Sequence, residues 1–250
     1  MIGITDAFRA TSVRIGDLIV PGKSVERVLQ KYCKHPFIQS GDPKFPYQFF
    51  GSGVGIKVEG RHFVFCCGHQ IDQFNPETVT IRSAPTDVTI SGSRLIKPTL
   101  TDENRDADWV DVRAIEYEVD RYGIANLSQE FFAINGNNIW PSSDAGIFIL
   151  YGYPTERQDI NYEIPHITAR ATTVKGRYDG ASASPHVHRI KMDRKTIFDA
   201  DGMSGGAVFY LGENTDGYFI GFAGMIMRGG ARSDYIHFIE AGFLSLIGQS

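Results

Sequence analysis

The chain has 250 residues, 25 basic against 29 acidic side chains, a formal net charge of -4, and 42% hydrophobic and 22% charged residues. This balance excludes a disordered or fibrous chain and suffices to bury a core in one large or two small domains. No Lys/Arg block supplies the basic face that nucleic acid needs, and the longest strongly apolar run, residues 218–227, is far short of the roughly 20 residues that span a bilayer, so neither nucleic acid nor membrane is an expected partner.

Residues 1–48 read as an N-terminal extension with one short helix. Over 24–34, Val25, Val28, Leu29, Tyr32 and Cys33 recur at helical spacing, with Ser24 placed to cap the start and the loop 36–46 to end it. Asp6, Arg9, Arg14 and Asp17 interrupt any apolar run at the start of the chain, which argues against a secretory signal. Three cysteines, Cys33 and the adjacent Cys66 and Cys67, make a poor disulfide framework, and a reducing, cytoplasmic home is expected.

From Phe49 the pattern changes to short β-branched and aromatic runs separated by glycine, proline and acidic turns. Strands are predicted at 51–58, 62–67, 79–83, 88–91 and 109–117, then, after a break, at 146–151, 167–177, 188–192, 206–210 and 219–227, with a last helix near 239–247. The 27 glycines exceed the usual share of about 7%, and 17 Phe, 11 Tyr and 2 Trp suit strands. Two groups of strands without alternating helices predict an all-β chain of two antiparallel barrels or sandwiches, 49–125 and 126–250.

Three separated pieces can carry chemistry: Cys67-Gly68-His69 after an apolar strand, the acidic run Asp106-Ala107-Asp108, and Asp201-Gly202-Met203-Ser204-Gly205-Gly206 before another strand. Together they offer what acyl transfer needs, namely a hydroxyl nucleophile, a base for its proton, a carboxylate to orient the base, and amide donors for an oxyanion. Asp102, Asp106, Asp108 and Asp111 crowd one region. If a strand begins at Trp109, Val110, Val112 and Ala114 share a face with Asp108 while Asp111 falls opposite, so Asp108 is the preferred carboxylate and Asp106 the runner-up.

On these residues, and on Gly51-Ser52-Gly53-Val54-Gly55, Gly152-Tyr153-Pro154 and the stretch from Gly224 to Gly229, the sequence resembles the chymotrypsin-like serine peptidases over about residues 49–247. The resemblance implies two antiparallel six-stranded β-barrels with a short C-terminal helix. It implies a serine endopeptidase of protein or peptide substrates, with no cofactor, in which His69, Asp108 and Ser204 form the triad and the amides of Gly202 and Ser204 the oxyanion hole. Met203 stands where secreted animal members carry an aspartate, so the zymogen salt bridge is missing and the bacterial and viral branches are the better match. Activity is then constitutive or set by a regulatory protein partner.

The same resemblance places the primary specificity pocket at Phe198 and Asp199, with Met227, Arg228 and Gly229 on the opposite edge. Their signals conflict, since Phe198 favours an apolar side chain, Asp199 a basic one and Arg228 an acidic one. Cys66 and Cys67 are read as core fillers, because adjacent strand residues face opposite ways and cannot readily join His69 or His62 in a metal site. His186 and His188 share a strand face without a stronger signal for a metal. The competing functions are a catalytically silent binding module on the same fold and an esterase using the same triad.

Overall fold

The computed structural model describes residues 11–83, 88–99, 106–143, 146–161, 166–193, 201–229 and 233–249, with the backbone alone for 159–161 and 166–168. The N-terminal segment contributes β1 (Ser12–Ile15), β2 (Leu18–Pro21), helix α1 (Val25–Gln30), β3 (Cys33–Lys34), β4 (Phe37–Gln39) and β5 (Tyr47–Phe49). Then come β6 (Gly53–Val58), β7 (Arg61–Cys67), the one-turn helix α2 (Gly68–Ile71), β8 (Val79–Arg82), β9 (Thr89–Ser91), β10 (Arg94–Ile96), β11 (Val112–Tyr117) and β12 (Phe132–Ala133). The second half holds β13 (Ile147–Gly152), β14 (Gln158–Asn161), β15 (His166–Ala169), β16 (Thr172–Ala181), β17 (Val187–Met192), β18 (Ala207–Asn214), β19 (Gly217–Gly229), β20 (Tyr235–Glu240) and α3 (Ala241–Gly248).

In the second half β18, β13, β16, β17, β20 and β19 pair in that order, and β18 pairs again with β19 to close a six-stranded barrel. Every strand of it sends residues into one interior cluster, among them Phe148, Val174, Ile190, Val208, Ala223 and Phe238. The first half does not close in the same way among the described residues. It is a six-stranded sheet, β10-β11-β7-β6-β12 with β3 on β6, facing a four-stranded sheet, β5-β4-β8-β9. Of the two six-stranded barrels expected, one is closed among the described residues. The chain passes from one sheet to the other at Gly92, where a Cβ would lie 2.4 Å from Ile115 and 2.9 Å from the Pro76 carbonyl. Ile38, Val64, Ile81 and Ile115 fill the space between the two sheets.

β7 has buried residues throughout its apolar run, which is why it lacks the polar alternation of a surface strand. Phe63, Phe65 and Cys67 face a core shared with the second half, while Val64 and Cys66 face the core between the first-half sheets. The shared core joins Val54 and Phe65 to Phe209, Phe222, Met225 and Leu244. It welds the halves together and puts the ends of β7, β11 and the loop before β18 at one seam.

The N-terminal segment is woven into both halves: β1 runs parallel to β19, β3 pairs with β6 and β4 with β8. Its helix is present but shorter than predicted, because Cys33 and Lys34 are strand residues, and Ser24 makes no side-chain cap bond. The strand expected over 167–177 is two, β15 and β16, broken at Arg170, whose amide donates to the Arg157 carbonyl. No helix among the described residues is long and apolar enough to cross a membrane.

Candidate active site

β7 ends at Cys67, and the chain turns into α2 with His69 on its exposed face. The turn is held by Gln70, whose Oε1 accepts from the Cys67 amide at 3.1 Å. The antiparallel register sets Val112 of β11 opposite Cys67, so the residue before Val112 lies beside Gly68 and within reach of His69. That residue is Asp111. Its Oδ2 lies 2.6 Å from His69 Nδ1, and its Oδ1 accepts from the His69 amide at 2.8 Å. A carboxylate only accepts, so the imidazole carries its proton on Nδ1 and presents Nε2 as an acceptor. The hydrogen bond to Asp111 raises the His69 pKa above its ordinary value, against the opposing effect of desolvation and with help from the charges of Asp201 and Asp72.

Asp108, expected to orient the histidine, does not do so. Residues Asp108–Asp111 form a 3-10 turn, and the strand begins only at Val112, so the parity that excluded Asp111 does not apply. Asp108 instead faces the second half: its Oδ2 is 3.0 Å from Arg228 Nη2, a close ion pair outside hydrogen-bond geometry, and its amide donates to Ser184 Oγ at 3.1 Å. Asp106 and Asp108 line, with His69, Met227 and Arg228, a cleft of about 420 Å³ at the seam.

Arg113 is a residue that sequence reasoning missed. Its guanidinium donates to both oxygens of Asp72 and, through Nη1, to the carbonyls of Val110 and Val112 at 2.7 and 2.8 Å. It thereby fixes the backbone on either side of Asp111. Nothing in the sequence marks it out, since an arginine within a strand ordinarily reads as a surface residue. Arg113→Met leaves the two carbonyls without their donor and Asp72 with Lys97 Nζ, 3.1 Å away, as its remaining partner, and urea unfolding is expected to register a loss of about 1–3 kcal/mol.

Ser204 lies in the loop before β18. Its carbonyl accepts from Gln70 Nε2 at 2.8 Å and from the Ser52 amide at 3.2 Å, so the residue next to His69 is bonded directly to the serine turn. The turn is tight at Gly205, with φ +86°, and its amide donates to the Ile226 carbonyl at 2.7 Å. Gly202, at φ +84°, has its carbonyl bonded to Ser52 Oγ at 2.6 Å. Among the described residues no acceptor takes the Gly202 or Ser204 amide. The Ser204 hydroxyl donates to the Met227 carbonyl at 3.0 Å, and it shares no hydrogen bond with His69 in this structure.

Of the expected specificity residues, Phe198 and Asp199 lie outside the described residues. Met227 is buried, Arg228 is exposed and paired with Asp108, and Gly229 pairs with Ile236 at the end of β19. Cys66 and Cys67 are buried on opposite faces, and burial pushes the thiol of Cys66 up to about 12 and that of Cys67 well above its ordinary value. Donor atoms of Cys67, His69 and Asp111 lie within 4.8 Å of one another. Cys67 is buried with its thiol held protonated, which makes it a poor metal ligand, and both carboxylate oxygens of Asp111 are engaged by His69.

No protein-family model matches the chain, and no curated protein matches it. A solved structure described as that of a thermostable serine protease AL20 from an extremophilic microorganism matches with a TM-score of 0.54 and 13% sequence identity, over 85% of this chain and 92% of that one. The chain therefore shares the fold of a serine protease. At this identity the likeness speaks for the fold alone.

Proposed function

We propose that the chain is a serine endopeptidase of the branch without the zymogen salt bridge, with His69, Asp111 and Ser204 as its triad. The observation that carries this reading is the two-point hold of Asp111 on His69 beside a glycine-tight serine turn. The reading requires a rotation about the Ser204 Cα–Cβ bond that exchanges the Met227 carbonyl for Nε2 of His69 as the partner of the hydroxyl. That exchange of one neutral hydrogen bond for another costs about 1 kcal/mol or less, and such contacts are often loose before substrate binds.

His69 then takes the Ser204 proton as Oγ attacks a substrate carbonyl. The Gly202 and Ser204 amides donate to the developing oxyanion, and the imidazolium, stabilised by Asp111, returns its proton to the leaving amine. Water repeats the sequence on the acyl-enzyme. Met203, where the zymogen-type aspartate would stand, is buried in the second-half core, which supports a site that needs no new N-terminus for its assembly.

A fluorophosphonate probe is expected to label the full chain at Ser204 and to leave Ser204→Ala unlabelled. Because His69 must be neutral to accept a proton and Asp111 raises its pKa, labelling is expected to rise with pH, with a midpoint above 6.5. Failure of the wild type to react at any pH would point to a binding module, and turnover of simple esters without cleavage of any peptide would point to an esterase.

A further inference from the structure

On the face formed by the N-terminal segment, away from His69, lies a cavity of about 410 Å³. Arg27 and Lys31, one helical turn apart, and Lys34 and Arg82 supply cationic groups to its lining, and Glu130 is the one carboxylate among the described lining residues. This excess of positive charge occurs in a chain whose formal net charge is -4. Glu130 is already engaged: its Oε2 accepts from Lys34 Nζ at 3.1 Å and its Oε1 from Ser83 Oγ at 2.7 Å, all in a buried setting. Among the described lining residues the cations of Arg27 and Lys31 therefore outweigh the negative charge left to balance them. Burial also lowers the pKa of Lys31, more than the charge of Glu130 raises it, so its ammonium carries a desolvation cost that a bound anion would offset.

One wall of the cavity is His35, 7% exposed, with its ring stacked on Tyr153 at 4.6 Å and packed against Phe37 and Phe49. Gln158 lies near enough to favour the protonated ring slightly, yet neither ring nitrogen has a partner in hydrogen-bond geometry. Burial dominates and holds the pKa at about 4, so the ring is neutral near pH 7 and keeps one buried N–H unsatisfied. An unmatched buried donor costs about 1–3 kcal/mol, which an oxyanion acceptor would recover. A cavity of this size, many times the roughly 30 Å³ of one water, has room for more than a single ion.

We infer that this cavity binds a small multivalent oxyanion, bearing phosphate or carboxylate groups, and that its occupancy is transmitted to the Ser204 turn. The route is short. The Tyr153 ring stacks on His35, the Tyr153 amide donates to Ser52 Oγ at 2.7 Å, and that hydroxyl donates to the Gly202 carbonyl at 2.6 Å. Binding itself is independent of the protease reading, whereas the transmission rests on it.

Calorimetric titration of the full-length Ser204→Ala protein with inorganic tripolyphosphate and, separately, with citrate tests the binding. Saturable one-to-one binding of at least one probe is expected, weakening as salt is raised. The double variant Arg27→Ala/Lys31→Ala is expected to lose at least about tenfold in affinity, and with Arg27 exposed and Lys31 half-exposed its thermal midpoint is expected to stay nearly unchanged. Absence of binding by both probes, or equal affinity in the double variant, overturns the site. In the wild type, saturating probe is expected to change the fluorophosphonate labelling rate at least twofold, with no change in the double variant. An unchanged wild-type rate overturns the transmission. A wild type that never labels but still binds the probe removes the protease reading and the transmission while leaving the anion site standing.

Discussion

Asp111→Asn is expected to lower kcat/KM by about 10⁴-fold, the size of effect seen when the histidine-orienting carboxylate of a serine triad becomes an amide. The asparagine keeps the shape but can offer an N–H toward Nδ1, which then has to act as the acceptor. The ring proton moves to Nε2, where the serine needs a base. The loss of negative charge also removes the main influence that raises the His69 pKa, so the acid limb of any residual activity is expected to shift to lower pH. Asp108→Asn is the discriminating companion. Asp108 contacts Arg228 and Ser184, and its replacement is expected to change kcat/KM by less than about tenfold and to leave the acid limb in place. Equal losses in the two variants would remove Asp111 from the assigned role. The comparison is read in kcat/KM for a peptide substrate and in labelling rate for the probe, so a defect in peptide binding separates from a defect in the serine.

The contrast between the two aspartates also shows how far the chain could be read from its letters. His69 and Ser204 stand next to strong local signals, an apolar run ending in glycine and a glycine-rich turn, and both lie at the seam where they were expected. The carboxylate could not be chosen the same way. Asp108 and Asp111 are three apart, and only the 3-10 turn between them, followed by the pairing of Val112 with Cys67, decides which one reaches the imidazole. β11 gave no help through polarity, because both of its faces are largely buried and even Arg113 is turned inward. The long strands of the second half were legible from their apolar runs. β1 and β3 were not: β1 meets β19 across some 200 residues of sequence, and β3 is two residues long, so neither has a local pattern to betray it. The basic cavity was invisible for a related reason. Its cations are dispersed over α1, the residue that follows it, β3 and β8 and form no run, and only the fold assembles them.

Gly205→Ala is expected to cost about 10²- to 10³-fold in turnover, the range for loss of one oxyanion donor, together with measurable destabilisation. Two causes act at this position. The backbone is in the left-handed region, and a Cβ would stand 2.0 Å from the Ser52 carbonyl oxygen and 2.9 Å from its carbon, so the turn or the Ser52 backbone must move. Either movement reaches the chemistry. Ser52 donates through its amide to the Ser204 carbonyl and through its hydroxyl to the Gly202 carbonyl, so displacing it loosens the turn that carries the amides proposed for the oxyanion. Gly60 separates the two causes, since it has the same φ of +86° but open space around the site of a Cβ. Gly60→Ala carries the backbone strain alone, about 1–2 kcal/mol, and is expected to leave turnover unchanged. Unfolding in urea together with kcat for both variants is the measurement. If Gly205→Ala loses no more activity than Gly60→Ala, the packing of Ser52 against the serine turn does not hold the oxyanion donors in place.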